Sequence, residues 1–136
     1  MIAQFEIEVP THGRGALQIG DLINKELSQI APGNCLANVF VMHTSASLMI
    51  TGNEDPNLLS DIEGYLQRSV PDGDTRYLHN NEGDFDTSGH IRSILTSESK
   101  SVPVVQDRLA LGRYQGLFLY EHRAGKNLRK IIITLV

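Results

Sequence analysis

The order of hydrophobic patterns along this 136-residue chain limits its fold more than any single motif does. Ala3, Phe5, Ile7 and Val9 share one face of a period-two alternation whose other face is Gln4, Glu6 and Glu8, so the chain opens with a half-buried strand. Ile19, Leu22, Ile23, Leu27 and Ile30 then recur at helical spacing until Pro32-Gly33-Asn34 stops the run. Two β-rich runs follow, residues 35–42 and 47–51, separated by His43-Thr44-Ser45-Ala46. A second helix is predicted from Asp55, a good capping side chain, with Pro56 in the first turn, where its missing N–H costs nothing. Leu58, Leu59, Ile62 and Leu66 form its apolar stripe. Residues 71–89 are rich in Gly, Asp, Asn and Ser and read as a long loop, the kind that in a compact domain is functional or disordered. A short helix over about residues 90–96, capped by Thr87 or Ser88, leads into strands at 102–105, 108–111, 116–120 and 131–136, read as a meander.

This order of strands and helices lacks the regular strand-helix alternation of a parallel sheet. The expectation is an α+β fold: one domain, residues 1–136, with mainly antiparallel sheet, two main helices and one short helix. A chain of this length buries roughly two-thirds of the surface that it exposes when unfolded, and 40% hydrophobic with 21% charged residues is an ordinary globular composition.

Several functions are disfavoured by composition. The net charge is −4, and no stretch concentrates Lys and Arg with interleaved aromatics, so nucleic acid is not an expected partner. No apolar run approaches the ~20 residues of a membrane span, and the N-terminal residues lack the basic and apolar regions of a secretory signal. Cys35 is the single cysteine, it lies in an apolar run, and it reads as a core thiol in a reducing compartment. A cytoplasmic protein is expected.

The chemistry-bearing residues gather in the middle third. Residues 79–90 read His-Asn-Asn-Glu-Gly-Asp-Phe-Asp-Thr-Ser-Gly-His, two imidazoles and three carboxylates in one stretch. Imidazole nitrogen with carboxylate oxygen suits a divalent metal, and the same groups move protons near neutral pH. The spacing matches no established zinc motif, and a solvated acidic loop has the same composition. His43 ends a strand, where a side chain points into a cleft or is satisfied in the core. Ser45 as a nucleophile is disfavoured because the Gly-x-Ser-x-Gly elbow is missing. Asp55 reads as a cap, and Asp61 as either a solvated helix residue or a carboxylate aimed at the histidines. Glu121-His122-Arg123 follows the strand at 116–120, with Arg113, Lys126, Arg129 and Lys130 nearby; guanidinium groups there suit phosphate or carboxylate, or form an ordinary basic rim.

Taken together, His43-Thr44-Ser45-Ala46-Ser47-Leu48, Asp55-Pro56, the loop from His79 to His90 with Glu82-Gly83, Val102-Pro103-Val104, Leu111-Gly112, Tyr114-Gln115-Gly116 and Glu121-His122-Arg123 resemble the YjbQ family, also called the secondary thiamine-phosphate synthase family. The resemblance is collinear from near the N-terminus to the final strand. It implies an α+β domain assembled as a homotrimer, with the histidine-rich clefts at or near subunit contacts. It also implies a weak thiamine-phosphate synthase activity that joins hydroxymethylpyrimidine diphosphate to a thiazole phosphate, beside an unassigned physiological role. On this basis His43, His79 and His90 are expected to hold a divalent metal, zinc or magnesium, with Glu82, Asp86 and Asp61 in support. Catalysis falls to His43, His79, His90, Asp86 and Glu82, and a small phosphorylated substrate to Ser45, Asp61, Gln115, Glu121, Arg123 and Arg129. The chain departs from the family pattern at Thr51-Gly52-Asn53, where an Asn-Glu-Asn run is usual, at Ser97-Glu98-Ser99 and at Tyr114-Gln115. The lost acid at position 52 leaves a second reading open, a non-catalytic trimeric module that binds a phosphorylated metabolite or metal. A scaffold with a merely solvated acidic loop is the third.

Overall fold

A computed structural model describes residues 2–136. The chain folds as α+β, with two antiparallel sheets and three helices. Strand β1 (Ala3–His12) keeps the predicted alternation of exposed and inward residues along its length. It pairs with β8 (Lys126–Leu135) over its whole extent, Phe5 opposite Ile133 and Ile7 opposite Ile131. β8 also pairs with β3 (Cys35–Val41), which pairs with β5 (Ser99–Val105), and a two-residue β6 (Arg108–Leu109) closes the five-stranded sheet in the order β1-β8-β3-β5-β6. The second sheet has three strands in the order β2-β7-β4: β2 (Gly15–Gln18), β7 (Gln115–Glu121) and β4 (Ala46–Gly52).

One core joins the two sheets. Val39 and Val41 of β3, Ile131 and Ile133 of β8, and Leu117 and Leu119 of β7 meet in it. Ile23 and Leu27 of α1 (Gly20–Ile30) complete it, both fully buried, each contributing roughly 1.5–3 kcal/mol by leaving water. The helix ends where Pro32-Gly33-Asn34 predicts: Ala31 turns left-handed (φ 52) and its N–H returns to the Leu27 carbonyl at 2.8 Å. α2 (Pro56–Ser69) begins at its predicted cap, with Asp55 Oδ1 accepting from the Asn57 N–H at 2.9 Å.

The sequence reading fails at four places, each for a physical reason. β2 is too short and too exposed at Leu17 and Gln18 to show a pattern. The predicted stripe of α2 is buried only at Leu66; Leu58 is exposed, and Leu59 and Ile62 are half-buried, so the helix lies on the rim of the fold. The C-terminal strands do not form a meander, because β7 leaves the five-stranded sheet for the centre of the other. α3 (Asp84–Leu95) is longer than the predicted short helix and starts near Asp84 instead of His90. Its buried face is Asp86, Ser88, Gly89, Arg92 and Ser93, a polar surface that no search for apolar periodicity registers, while Asp84 and Asp86 in the first turn favour a helix start.

Candidate metal centre

α3 lies across one end of the three-stranded sheet, where β4 begins and β7 ends. Ser93 Oγ donates to the Ala46 carbonyl at 3.1 Å, and the His122 N–H donates to the Ser45 carbonyl at 3.1 Å. Gly89 faces this junction, where an added Cβ would sit at ordinary contact distance, 3.6 Å from the His122 Cβ and 3.8 Å from the Ser45 Cβ.

Because α3 begins at Asp84, Asp86 and His90 stand one helical turn apart on a single face. The adjoining irregular segment, residues 71–83, delivers His79 to the same place. His79 Nε2 donates to Asp86 Oδ2 at 2.7 Å, His90 Nε2 lies 3.3 Å from that oxygen, and the two rings are 5.4 Å apart. One donor atom from each of the three residues falls within 4.8 Å of the others. Asp86 is almost completely buried, whereas the His79 side chain is 53% exposed, so the carboxylate is fixed and one imidazole faces solvent.

The protons in this cluster follow from its partners. His90 Nδ1 lies 3.0 Å from the Thr44 carbonyl oxygen, which can only accept, so Nδ1 carries the hydrogen. A neutral His90 therefore aims the Nε2 lone pair at a carboxylate oxygen. Two lone pairs 3.3 Å apart repel unless a positive charge lies between them. Burial alone would raise the Asp86 carboxyl, and hydrogen bonds from Arg123 Nη2 at 2.6 Å and from His79 outweigh it, leaving Asp86 below the usual carboxylate range. Arg123 Nη2 also reaches Glu82 at 3.4 Å. Arg123, Glu82, Asp84 and Asp86 line a pocket of about 290 Å³ in which three carboxylates face one guanidinium, a surrounding that favours a cation.

His43 lies nearby, but its ring nitrogens face groups other than those of the trio. It shares a groove of about 680 Å³ with His90, Phe40, Met42 and Ile94. Its Nδ1 faces Arg129 Nη1 at 3.3 Å and its Nε2 faces the Lys130 N–H at 3.4 Å, and both of these groups are donors. Burial and then the Arg129 charge hold its pKa below the ordinary value of 6.5. Among the described residues the donor atoms that converge within 4.8 Å belong to His79, Asp86 and His90; of the expected His43-His79-His90 set, His43 lies outside that cluster.

The other expected residues are placed apart from the trio. Glu121 and Arg129 form a buried bidentate pair at 2.8 and 2.5 Å, and the Thr11 hydroxyl donates to the same carboxylate. Burial pushes Glu121 up, but the Arg129 and Thr11 bonds hold it down. Ser45 is buried and its Oγ accepts from Arg129 Nη2 at 3.0 Å, so neither Ser45, Glu121 nor Arg129 presents itself to a substrate. Asp61 is exposed on α2 and takes no part in these contacts, because Ile62, beside it, turns inward. Gln115 lies at the opposite end of β7 from Glu121, in register with Gly52, and its Oε1 accepts from the Gly112 N–H at 2.8 Å. The departure at Gly52 is accommodated by Leu58, whose Cδ2 would be 2.9 Å from a Cβ added there.

The sequence reading missed a second, buried polar layer behind the trio. Arg14 pairs with Asp72 at 2.7 and 2.9 Å and stacks on Phe85. The Ser88 hydroxyl also donates to Asp72. Arg92 and the Tyr120 hydroxyl both bind Glu63. His122 Nε2 meets Ser47 Oγ at 2.8 Å while its Nδ1 is buried without a partner. Only the motif Glu121-His122-Arg123 signalled any of this in advance.

The family model described as UPF0047 protein YjbQ-like matches residues 5–136. The chain belongs to the YjbQ family. It is 42% identical to a YjbQ protein of Salmonella typhimurium over 123 residues, covering 90% of this chain and 88% of that protein. Against a UPF0047 protein of Synechocystis the figures are 39% over 125 residues, 92% and 85%. A crystal structure of a conserved hypothetical protein from Thermus thermophilus superposes with a TM-score of 0.88 at 28% identity, covering 97% of this chain and 99% of the other. A YjbQ/UPF0047 structure from Clostridium acetobutylicum gives 0.87 at 26%, with the same coverage. The YjbQ fold is thus the one described above, and among the described residues no helix is long and apolar enough to cross a membrane.

Proposed function

We propose that the chain is a divalent-metal-dependent protein acting on a small phosphorylated substrate, with a secondary thiamine-phosphate synthase-like transferase activity as its testable reaction. The observation that carries this reading is the His90–Thr44 contact: the Thr44 carbonyl oxygen accepts from Nδ1–H, which leaves Nε2 facing Asp86 as a ready ligand. A backbone acceptor behind a ligating imidazole is the usual way of fixing its orientation. His79, Asp86 and His90 would hold the ion, and two imidazoles with one carboxylate suit zinc better than magnesium, which favours oxygen. When bound, the ion would supply Lewis-acid neutralisation of phosphate oxygens. Arg123 bonds Asp86 through Nη2 and fixes the carboxylate. It is one-third exposed and can place charge beside a departing diphosphate. The protein otherwise contributes by holding two reactants together.

The test is metal analysis of chelator-treated, zinc-reloaded protein, followed by a diphosphate-release assay with hydroxymethylpyrimidine diphosphate and thiazole phosphate. Stoichiometric zinc and zinc-dependent release support the reading; zinc-independent release would refute the metal's part in it.

The second reading is a non-catalytic trimeric module that binds a phosphorylated metabolite or metal. It is favoured by the withdrawal of Glu121, His122 and Arg129 into buried positions, which removes three groups that a transferase could use on its substrate. Saturable binding without turnover distinguishes it. Trimeric assembly, supported by the resemblance and by the exposed Leu58 and Tyr65 on α2, is tested by sedimentation. A cytoplasmic location is supported by the single thiol, Cys35.

A further inference from the structure

The segment 71–83 connects α2 to α3 without regular structure. Its first residues are tied down independently of any ligand: Asp72 is held by Arg14 and Ser88, and the Gly73 N–H donates to the Asp84 carbonyl at 2.9 Å. Beyond Gly73 the contacts turn inward on the segment itself. Arg76 pairs with Asp74, the Tyr77 N–H bonds the Asp74 carbonyl, and the Tyr77 hydroxyl bonds the Pro71 carbonyl. Leu78 at the tip is 97% exposed, which shows how little of the segment is packed. The segment returns to the body at His79, through its ring to Asp86 and through its carbonyl to the Thr87 hydroxyl, and farther on through Glu82 to Arg123.

We infer that His79 is the clasp of this segment, and that a divalent cation shared by His79, Asp86 and His90 locks residues 74–82 against α3. The inference rests on the metal reading above and adds a consequence to it. Two ligands stand on a rigid helix and the third on the loosely held segment, so the ion can be fully coordinated only when the segment is closed. Thermodynamic reciprocity then applies: the factor by which closure strengthens metal binding is the factor by which bound metal suppresses opening. Metal occupancy and access past the segment become a single equilibrium.

Trypsin cleavage after Arg76, whose side chain is 85% exposed, reports the open form when opening and closing are fast. The experiment follows that cleavage by mass spectrometry in chelator-treated protein with and without zinc. A peptide spanning 70–83 controls for effects on the protease, and equilibrium dialysis measures zinc binding in parallel. The expected result is slowing within the roughly 5- to 150-fold range of ordinary coupling. His79→Ala, at a largely exposed side chain, should fold, bind zinc more weakly by a similar factor, and show no slowing. Zinc that binds the parent without slowing cleavage overturns the clasp and leaves the metal reading standing. Zinc that does not bind at all removes both.

Discussion

The carbonyl oxygen of Thr44 accepts a hydrogen bond from His90 Nδ1 at 3.0 Å, across the junction of β4 and α3. This bond decides what His90 can do, because it leaves Nε2 as the only free nitrogen and points it at Asp86. His90→Ala should therefore lower zinc affinity by more than about tenfold, while changing unfolding free energy by no more than about 1 kcal/mol, since the side chain is one-third exposed. Calorimetric zinc titration beside urea unfolding separates the two effects. Large destabilisation with unchanged zinc binding would mark His90 as a structural residue.

Arg129 offers the contrasting case. It was an attractive phosphate ligand as a residue type, yet its guanidinium is committed to the buried Glu121 carboxylate. Arg129→Met strands that carboxylate and should cost about 3–5 kcal/mol, with much of the loss recovered when Glu121→Gln is added. Urea unfolding of both single variants and the double variant gives the coupling directly. Strict additivity would show that the pair is not the unit the structure describes.

How much of this was legible beforehand depended on distance along the chain and on polarity. Ile23 and Leu27 announced α1 because their spacing is the helical period, and Asp55-Pro56 announced the start of α2 because capping chemistry is local. His79, Asp86 and His90 were legible as residue types because a short stretch holds all three. Their grouping was not, since it needs α3 to begin at Asp84, and a helix whose inward face is Asp86, Ser88 and Arg92 carries no apolar signature. The pairing of His43 with Arg129 joins residues far apart in sequence, and the acceptor on Thr44 is a backbone atom; side-chain patterns encode neither.

Two glycines should respond in opposite directions to the same added methyl. Gly89 is helical, and its Cβ would meet neighbours only at ordinary contact distances of 3.6–3.8 Å. Gly89→Ala should raise stability by about 0.5–1 kcal/mol through helix propensity. A Cβ on Gly116 would lie 2.7 Å from the Phe118 ring and 3.0 Å from the Asn53 Cβ, so Gly116→Ala should cost about 1–3 kcal/mol by overpacking. Thermal melts of the two variants against the parent check the signs. A destabilised Gly89→Ala would mean that α3 sits closer to β4 and β7 than described.

The pH dependence of stability should carry the mark of His122. Burial, and then the nearby Arg92 and Arg14 charges, push its pKa down to about 3 from an ordinary 6.5. The folded protein thus keeps this ring neutral at a pH where the unfolded chain protonates it. Its contribution is fully present above pH 6.5 and is lost as pH falls toward 3, at a limiting slope of about 1.4 kcal/mol per pH unit. His43 is lowered in the same direction and adds to the trend. Between pH 6 and 5, above the range where most carboxylates titrate, unfolding free energy should fall by about 1 kcal/mol or more. His122→Gln preserves a polar partner for Ser47 without the titration, and its urea midpoint should change less with pH across that interval. A variant as pH-sensitive as the parent would assign the loss to other groups.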